Sequence, residues 1–529
     1  MRDLPEALAD IVRSLDLSTE FSDEVMREVA ALVRAPGIDD PSLTDHTALP
    51  FVTIDGATSR DLDQAVYVAR EGDGYVVEYA IADASHYVRP GSALFAEAMR
   101  RGATYYLPGA SVPMLPRALS EGIVSLNPDG PRRALVFVHH LDRRAEIVHT
   151  ELVRGRIHSR AKLSFAEVQG LVDGTDATLR DAPFRESLFL LREVGRKRMQ
   201  LAEERGVVRY RREEIAIELA DGGASFSVVE QVRDEVELWN EQISLLCNAE
   251  GGRLLREHPA PAVQPIYRVH SGPDPDRLHA LAGLTAALAR AHDLPDSPWV
   301  WSEDTQSLAA YLAALPVGPA GTKDDRVARA ITRQAIMVNL RSEYSIEPGP
   351  HFGVGAEPYA RFSAPMREMV GVFLHKEAVE MLTDAHPTEE KDETLRTEVV
   401  EIANRSKEVQ RRVADLANEL VIDRVFRPEL ARPLEARTRF AATVMGITTS
   451  KVHVRLDTPP IDVKLYLRDL GRDLAPRGAS PIWLETDEHG VVLRVRDTQR
   501  VVLTLGAEIA VRVVRRDDAQ RRWVLGLAR

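Results

Sequence analysis

One cysteine, Cys247, stands in 529 residues, so an intramolecular disulfide and any cysteine-built zinc cage are excluded. Aromatic residues make up 6% of the chain and lysine is scarce, at eight positions. Basic charge is in deficit: 68 Lys and Arg face 81 Asp and Glu, for a net charge of −13 and a pI near 5.7. That total argues against a polybasic coat for nucleic acid. No run approaches the roughly 18 apolar residues of a membrane span. The first residues, MRDLPEALADIVRSL, are acidic where an export signal needs a basic region, so a cytoplasmic address is expected. What is present, 44% hydrophobic and 28% charged residues, is ordinary for globular protein, and the length suggests several domains.

The charge is unevenly spread. Residues 1–45 carry a net −7, residues 46–430 a net −12, and residues 431–529 a net +6. Arginine dominates the basic set, which suits bidentate phosphate contacts and equally suits a GC-rich coding bias.

Periodicity divides the chain into three. Leu8, Ile11, Val12 and Leu15, then Val25, Val29, Leu32 and Val33, fall at helical spacing, with Ser22 offering an N-cap. Pro36, Gly37 and Pro41 suggest a linker over 36–47. Strand patterns occupy 51–82 and 134–160. Long helices are predicted over 185–205, 232–256, 276–292, 324–341, 365–383 and 395–425, the last with Val409, Val413, Leu416 and Leu420 on one stripe. After Pro433 five short segments (FAATVMGI, KVHVRL, VKLYLRDL, VVLRVR, EIAVRVVRR) predict a small β-barrel of the OB type. The expected fold class is multidomain α+β: a helical head at 1–47, a large body at 48–430 and a barrel at 431–529.

The sharpest local feature is TIDGATSRDLDQAVYV at 53–68. Asp61 and Asp63, two residues apart, share a face on extended chain with about 6.6 Å between Cα atoms. Asp55 can return to the same point through the Gly56 turn. Three carboxylates without a nearby lysine suit a hard cation such as Mg²⁺ held against a phosphate; the same triplet also suits a solvated turn. The offsets of a calcium loop are absent, as are the Walker A, HExxH and GxSxG patterns. Gly353-Val354-Gly355 lacks the third glycine of a dinucleotide loop.

Thr53-Ile54-Asp55, five residues, then Asp61-Leu62-Asp63-Gln64 resembles the catalytic signature of the ribonuclease II (RNB) family. IADASHYV at 81–88, RGATYYLPGASVPMLPRALS at 101–120, SLNPDGPRRALV at 125–136 and EPGPHFGVGAEPYARFSAPMR at 347–367 follow in the family's order. The resemblance spans 48–430 and implies a processive 3′-to-5′ exoribonuclease that releases nucleoside 5′-monophosphates from single-stranded RNA. It implies Mg²⁺, or Mn²⁺, on Asp55, Asp61, Asp63 and Gln64, and Arg367 gripping the scissile phosphate. It implies RNA contacts from Tyr106, Phe165, Tyr210, Glu241, His351 and Asp415, and a tail like an S1 domain. Gln64 stands where the family carries a fourth acid. This keeps a weakened, RNA-binding scaffold open as the alternative. Phe165 replaces a tyrosine, and a short acidic head, helix-turn-helix or winged-helix in size, replaces two cold-shock barrels. A monomer with a protein partner docked through the head is expected.

Overall fold

The computed structural model describes the chain except residues 1–3, 209–213, 221–224, 232, 261, 384–388, 477 and 529. Its centre is a five-stranded sheet in the order 44–45, 147–157, 132–141, 74–82, 64–71. The long strands pair antiparallel, and Thr44–Asp45 joins one edge in parallel, opposite Gly155 and Arg156. Part of the segment read as a linker is therefore sheet.

Strand alternation puts a different core on each face. Val66, Val68, Val77, Tyr79, Ile81 and Phe137 face helices Arg185–Glu204 and Glu235–Glu257. Ala65, Ala80, Ala82, Ala134 and Val136 face the other way. Small side chains there let helices Ala93–Arg101 and Met369–Thr383 lie close, and Val25 and Val29 of the head join them.

The head is two helices, Leu4–Ser14 and Asp23–Arg34, the second capped by Ser22 accepting from the Val25 amide. Its attachment is polar as well as apolar. Glu28 accepts from the amides of Ala93 and Leu94, two of the donors a helix N-terminus leaves unpaired. Arg101, buried, donates to the carbonyls of Ser18 and Glu20 with its guanidinium 3.7 Å from the Phe21 ring centre. The first helix lies instead on helix Glu389–Phe426, where Leu8 and Ile11 meet Val413 and the predicted apolar stripe.

The tail is a five-stranded antiparallel sheet in the order 462–466, 451–456, 440–447, 508–517, 522–527. One prediction fails in detail. VVLRVR supplies no strand to this sheet; Val492–Val495 pairs with Leu484–Thr486 and Val501–Thr504 in a separate three-stranded sheet. Arg522–Leu527 takes the vacant place, because the hairpin with Glu508–Asp517 brings it there directly. VKLYLRDL is also split, strand to Tyr466 and helix from Leu467. Arg326, buried, clasps Asp457 through two nitrogens at 2.9 and 2.6 Å and ties helix Lys323–Val338 to the tail. Among the described residues no helix is long and apolar enough to cross a membrane.

Candidate active site

Asp55 ends the strand Thr53–Asp55, which runs parallel to Lys162–Ser164. The chain leaves that strand through the Gly56 turn, and the next carboxylates lie in irregular chain before the strand that opens at Gln64. Ser125 pins this turn: its hydroxyl accepts from the Leu62 amide at 2.9 Å and donates to the Arg60 carbonyl at 2.8 Å. Leu62 and Asp63 are consequently buried, whereas Asp55 and Asp61 are half-buried.

Each carboxylate has its own partner. Asp55 accepts from Ser59 Oγ at 2.9 Å and from the Gly56 amide at 2.7 Å. Asp61 accepts from the Tyr106 hydroxyl at 3.2 Å. Asp63 accepts from Arg367 Nε at 2.6 Å and from the Met366 amide at 3.1 Å. The structure thus brings Asp61, Asp63, Tyr106 and Arg367, spread over more than 300 residues of sequence, to one point. Asp55, Asp61 and Asp63 do not draw together within 4.8 Å, since like charges held by separate donors have no reason to converge. Among the described residues the acidic trio that does is Glu377, Glu380 and Asp392, around the Lys376 ammonium at 2.8–2.9 Å.

Burial pushes the Asp63 carboxyl up to about 6 despite the Arg367 guanidinium and the Met366 amide, and Asp61 adds to the rise. Burial works against the Arg367 charge, but Asp63, Tyr106 and Asp61 outweigh it and raise its pKa. One guanidinium therefore offsets the buried acid only in part. Hard oxygen donors in such a place fit a divalent cation by their chemistry. Gln64 fits less well: its amide oxygen accepts from the buried Tyr79 hydroxyl, and its nitrogen donates to the Ser363 carbonyl.

The loop that carries Arg367 is held from below by Asn248, a residue the sequence reading passed over. Its Oδ1 accepts from the amides of Phe362 and Ser363 at 2.8 and 3.0 Å, and its Nδ2 donates to Tyr359 and Ser363 hydroxyls at 3.0 Å. Gly251, one turn along, permits this approach, because a Cβ there would lie 2.5 Å from the Phe362 ring. The signal available was an amide among Ile243, Leu246 and Cys247 on a buried helix face.

The other expected contacts are scattered. Tyr106 is exposed at the rim. Phe165 follows the Ser164 that pairs with Asp55 and packs on the core, half-buried. Glu241 meets Arg233 at 3.2 Å on the helix whose Asn240 reaches the Ile54 carbonyl at 3.4 Å. His351 is buried against His270 and Tyr359, and burial beside Arg268 lowers its pKa to about 4. Asp415 is exposed on the long helix, where neighbouring Val413 packs on Tyr105 and Leu107, away from the carboxylates' partner Tyr106. Tyr210 lies outside the described residues.

A family profile described as RNB domain matches residues 43–384. Exoribonuclease 2 of Enterobacter sp. (strain 638) is 31% identical over 421 residues, covering 78% of this chain and 61% of that protein. The chain therefore spans about three fifths of the length of such relatives. Among solved structures, the apo form of Mycoplasma genitalium RNase R superposes with a TM-score of 0.85 at 22% identity, over 99% of this chain and 78% of that one. The same protein in complex with ribose-methylated single-stranded RNA gives 0.84 over the same shares, again at 22% identity. The chain belongs to the RNB-domain family.

Proposed function

We propose that this chain is a 3′-to-5′ exoribonuclease that degrades single-stranded RNA processively to nucleoside 5′-monophosphates. The observation that carries the reading is the meeting of Asp63 with Arg367 beside Asp61 and Tyr106, at the RNB signature of the chain. Asp55, Asp61 and Asp63 would hold Mg²⁺, or Mn²⁺, with Gln64 contributing less because Tyr79 engages its oxygen. The metal would neutralise phosphate charge and supply an activated water.

The chain's own residues do the rest. Arg367, planar and always charged, grips a non-bridging phosphate oxygen through the nitrogens that Asp63 leaves unused, and is pre-oriented by that same acid. Tyr106 offers a ring edge at the rim and sets the end point of degradation. Phe165, Tyr210, Glu241 and Asp415 are proposed RNA contacts, and buried His351 shapes the loop around it. Domains at 1–47, 48–430 and 431–529 divide the work: an acidic helix-turn-helix or winged-helix head that docks a protein partner, a catalytic body, and an S1-like OB barrel that adds positive charge. A cytoplasmic monomer completes the reading.

A second reading, a non-catalytic RNA-binding scaffold, draws on one observation: the fourth acid is an amide committed to Tyr79 and Ser363. One assay separates them. With 5′-labelled single-stranded RNA and Mg²⁺, shortening to a small end product that EDTA and Asp63→Asn both abolish is expected. Uncut RNA that still shifts in a gel favours the scaffold, and RNA neither cut nor bound at low salt sinks both.

A further inference from the structure

Beside the catalytic loop lies a group of cations that the carboxylates do not use. Arg268 stands on the strand Tyr267–Val269, which pairs with Glu343–Ser345. Lys407 projects from the long helix Glu389–Phe426, and exposed Arg341 precedes Ser342. Ser342 is the meeting point. Its hydroxyl accepts from Arg268 Nε and from Lys407 Nζ, each at 3.3 Å, and its carbonyl accepts from Lys407 as well. Below them the Tyr344 ring lies 5.9 Å from the Arg268 guanidinium and 5.7 Å from the Lys407 ammonium.

Two cations thus share one neutral serine, and a third, Arg341, precedes it in the chain. Among the described residues none of the three has a carboxylate within ion-pair distance. Two acids act on these cations from beyond that distance: exposed Glu343, and Glu368, which is already engaged by Arg361 at 3.2 Å and by the Tyr344 hydroxyl at 2.6 Å. Burial first and then the Arg268 charge lower the Lys407 pKa to about 8, Glu368 and Glu343 opposing the fall and Arg341 adding to it. Arg326 and Arg253, by contrast, hold two carboxylates each. A site that gathers cations with no carboxylate at ion-pair distance suits an anion.

We propose that Arg268, Arg341 and Lys407 form a second phosphate subsite that holds a backbone phosphodiester of the RNA, apart from the scissile one gripped by Arg367. The proposal rests on the exoribonuclease reading for the identity of the anion. Its link to the catalytic loop is covalent and short: Glu368, which Tyr344 and Arg361 orient, adjoins Arg367. A phosphate on Ser342's cations would brace Tyr344, and through Glu368 the backbone that aims Arg367. A phosphodiester and the phosphate of a released nucleotide offer the same chemistry, and the phosphodiester is favoured because exposed Arg341 leaves the site open to a passing strand.

The test uses the full chain and a 5′-fluorescein oligoadenylate in EDTA, read by anisotropy across a salt series. Arg268→Gln, Arg341→Gln and Lys407→Met should each weaken binding about tenfold at low salt, a change ordinary for one charge-assisted contact. Each should also flatten the log–log salt slope by about 0.7, the value for one phosphate contact on a single strand. Lys407→Arg should restore both. Arg341→Gln is the safeguard against misfolding, since Arg341 is exposed. If wild type binds RNA and all three variants keep its affinity and slope, the subsite is refuted while the exoribonuclease reading stands. If wild type binds no RNA, that reading falls first. Inhibition by adenosine 5′-monophosphate separates the sources: weaker inhibition in the variants with unchanged RNA binding would assign the site to the released nucleotide and overturn the proposal.

Discussion

At the scale of single residues the site depends on donors that are not themselves chemical. Asp63 is buried and leans on Arg367, so the two are expected to act as a unit. Arg367→Lys keeps the charge and loses the planar fork; the rate of RNA shortening should fall at least about a hundredfold, in the range seen when one charge-stabilising donor is removed. Asn248 is a different case, because its side chain bonds no carboxylate and holds the loop instead. Asn248→Ala strands the Ser363 amide in a buried place, while the Phe362 amide keeps the Ala360 carbonyl at 3.0 Å. The orphaned group costs about 1–3 kcal/mol. Urea unfolding should report that loss, and activity should drop with it, since the same loop carries Arg367. A variant with wild-type stability would show that the loop holds itself.

At the scale of elements, the head is a fitted part of the body. Helix Asp23–Arg34 places Val25 and Val29 in the core beneath the central sheet, and Glu28 caps helix Ala93–Arg101 from outside. Glu28→Ala should cost about 1 kcal/mol, as the loss of an N-terminal cap does, and lower the melting temperature by a few degrees. An unchanged melting temperature would mean that the apolar contacts alone hold the head. The tail makes the opposite point about reading strands. Val492–Val495 is a strand as the sequence suggests, but neighbours close in sequence claimed it first. Local pairing after short turns wins when two strands compete for one edge.

At the scale of the whole molecule, buried neutral histidines give the fold a pH dependence. His139 packs between the sheet and its helices with burial lowering its pKa to about 3, and His375 is lowered by burial to about 4. Between pH 6.5 and about 4 the unfolded chain binds protons at these rings and the folded chain does not. Stability should therefore fall as pH falls through that window, and be fully present above it. Urea midpoints at pH 7.5 and 5.0 would measure the loss, and His375→Gln should shrink the difference. The net charge of −13 also takes on a narrower meaning: acidity belongs to the head and body, while residues 431–529 carry a net +6.

Much of this was legible in order along the chain. The helices at 185–204, 235–257, 275–291 and 389–426 follow from 3.6-residue periodicity, because an amphipathic stripe encodes its own burial. The Ser22 cap follows from a side chain that reaches an amide three residues on. Asp55, Asp61, Asp63 and Arg367 stood out through their motifs. What local sequence could not express were the partnerships made across hundreds of residues: Asn248 beneath Phe362, Gln64 between Tyr79 and Ser363, and Arg268 with Lys407 on Ser342. Periodicity and capping are interactions within one or two turns of chain, so sequence alone determines them. Hydrogen bonds and uncompensated charge depend on which distant groups the packed core leaves side by side, and only the tertiary structure decides that.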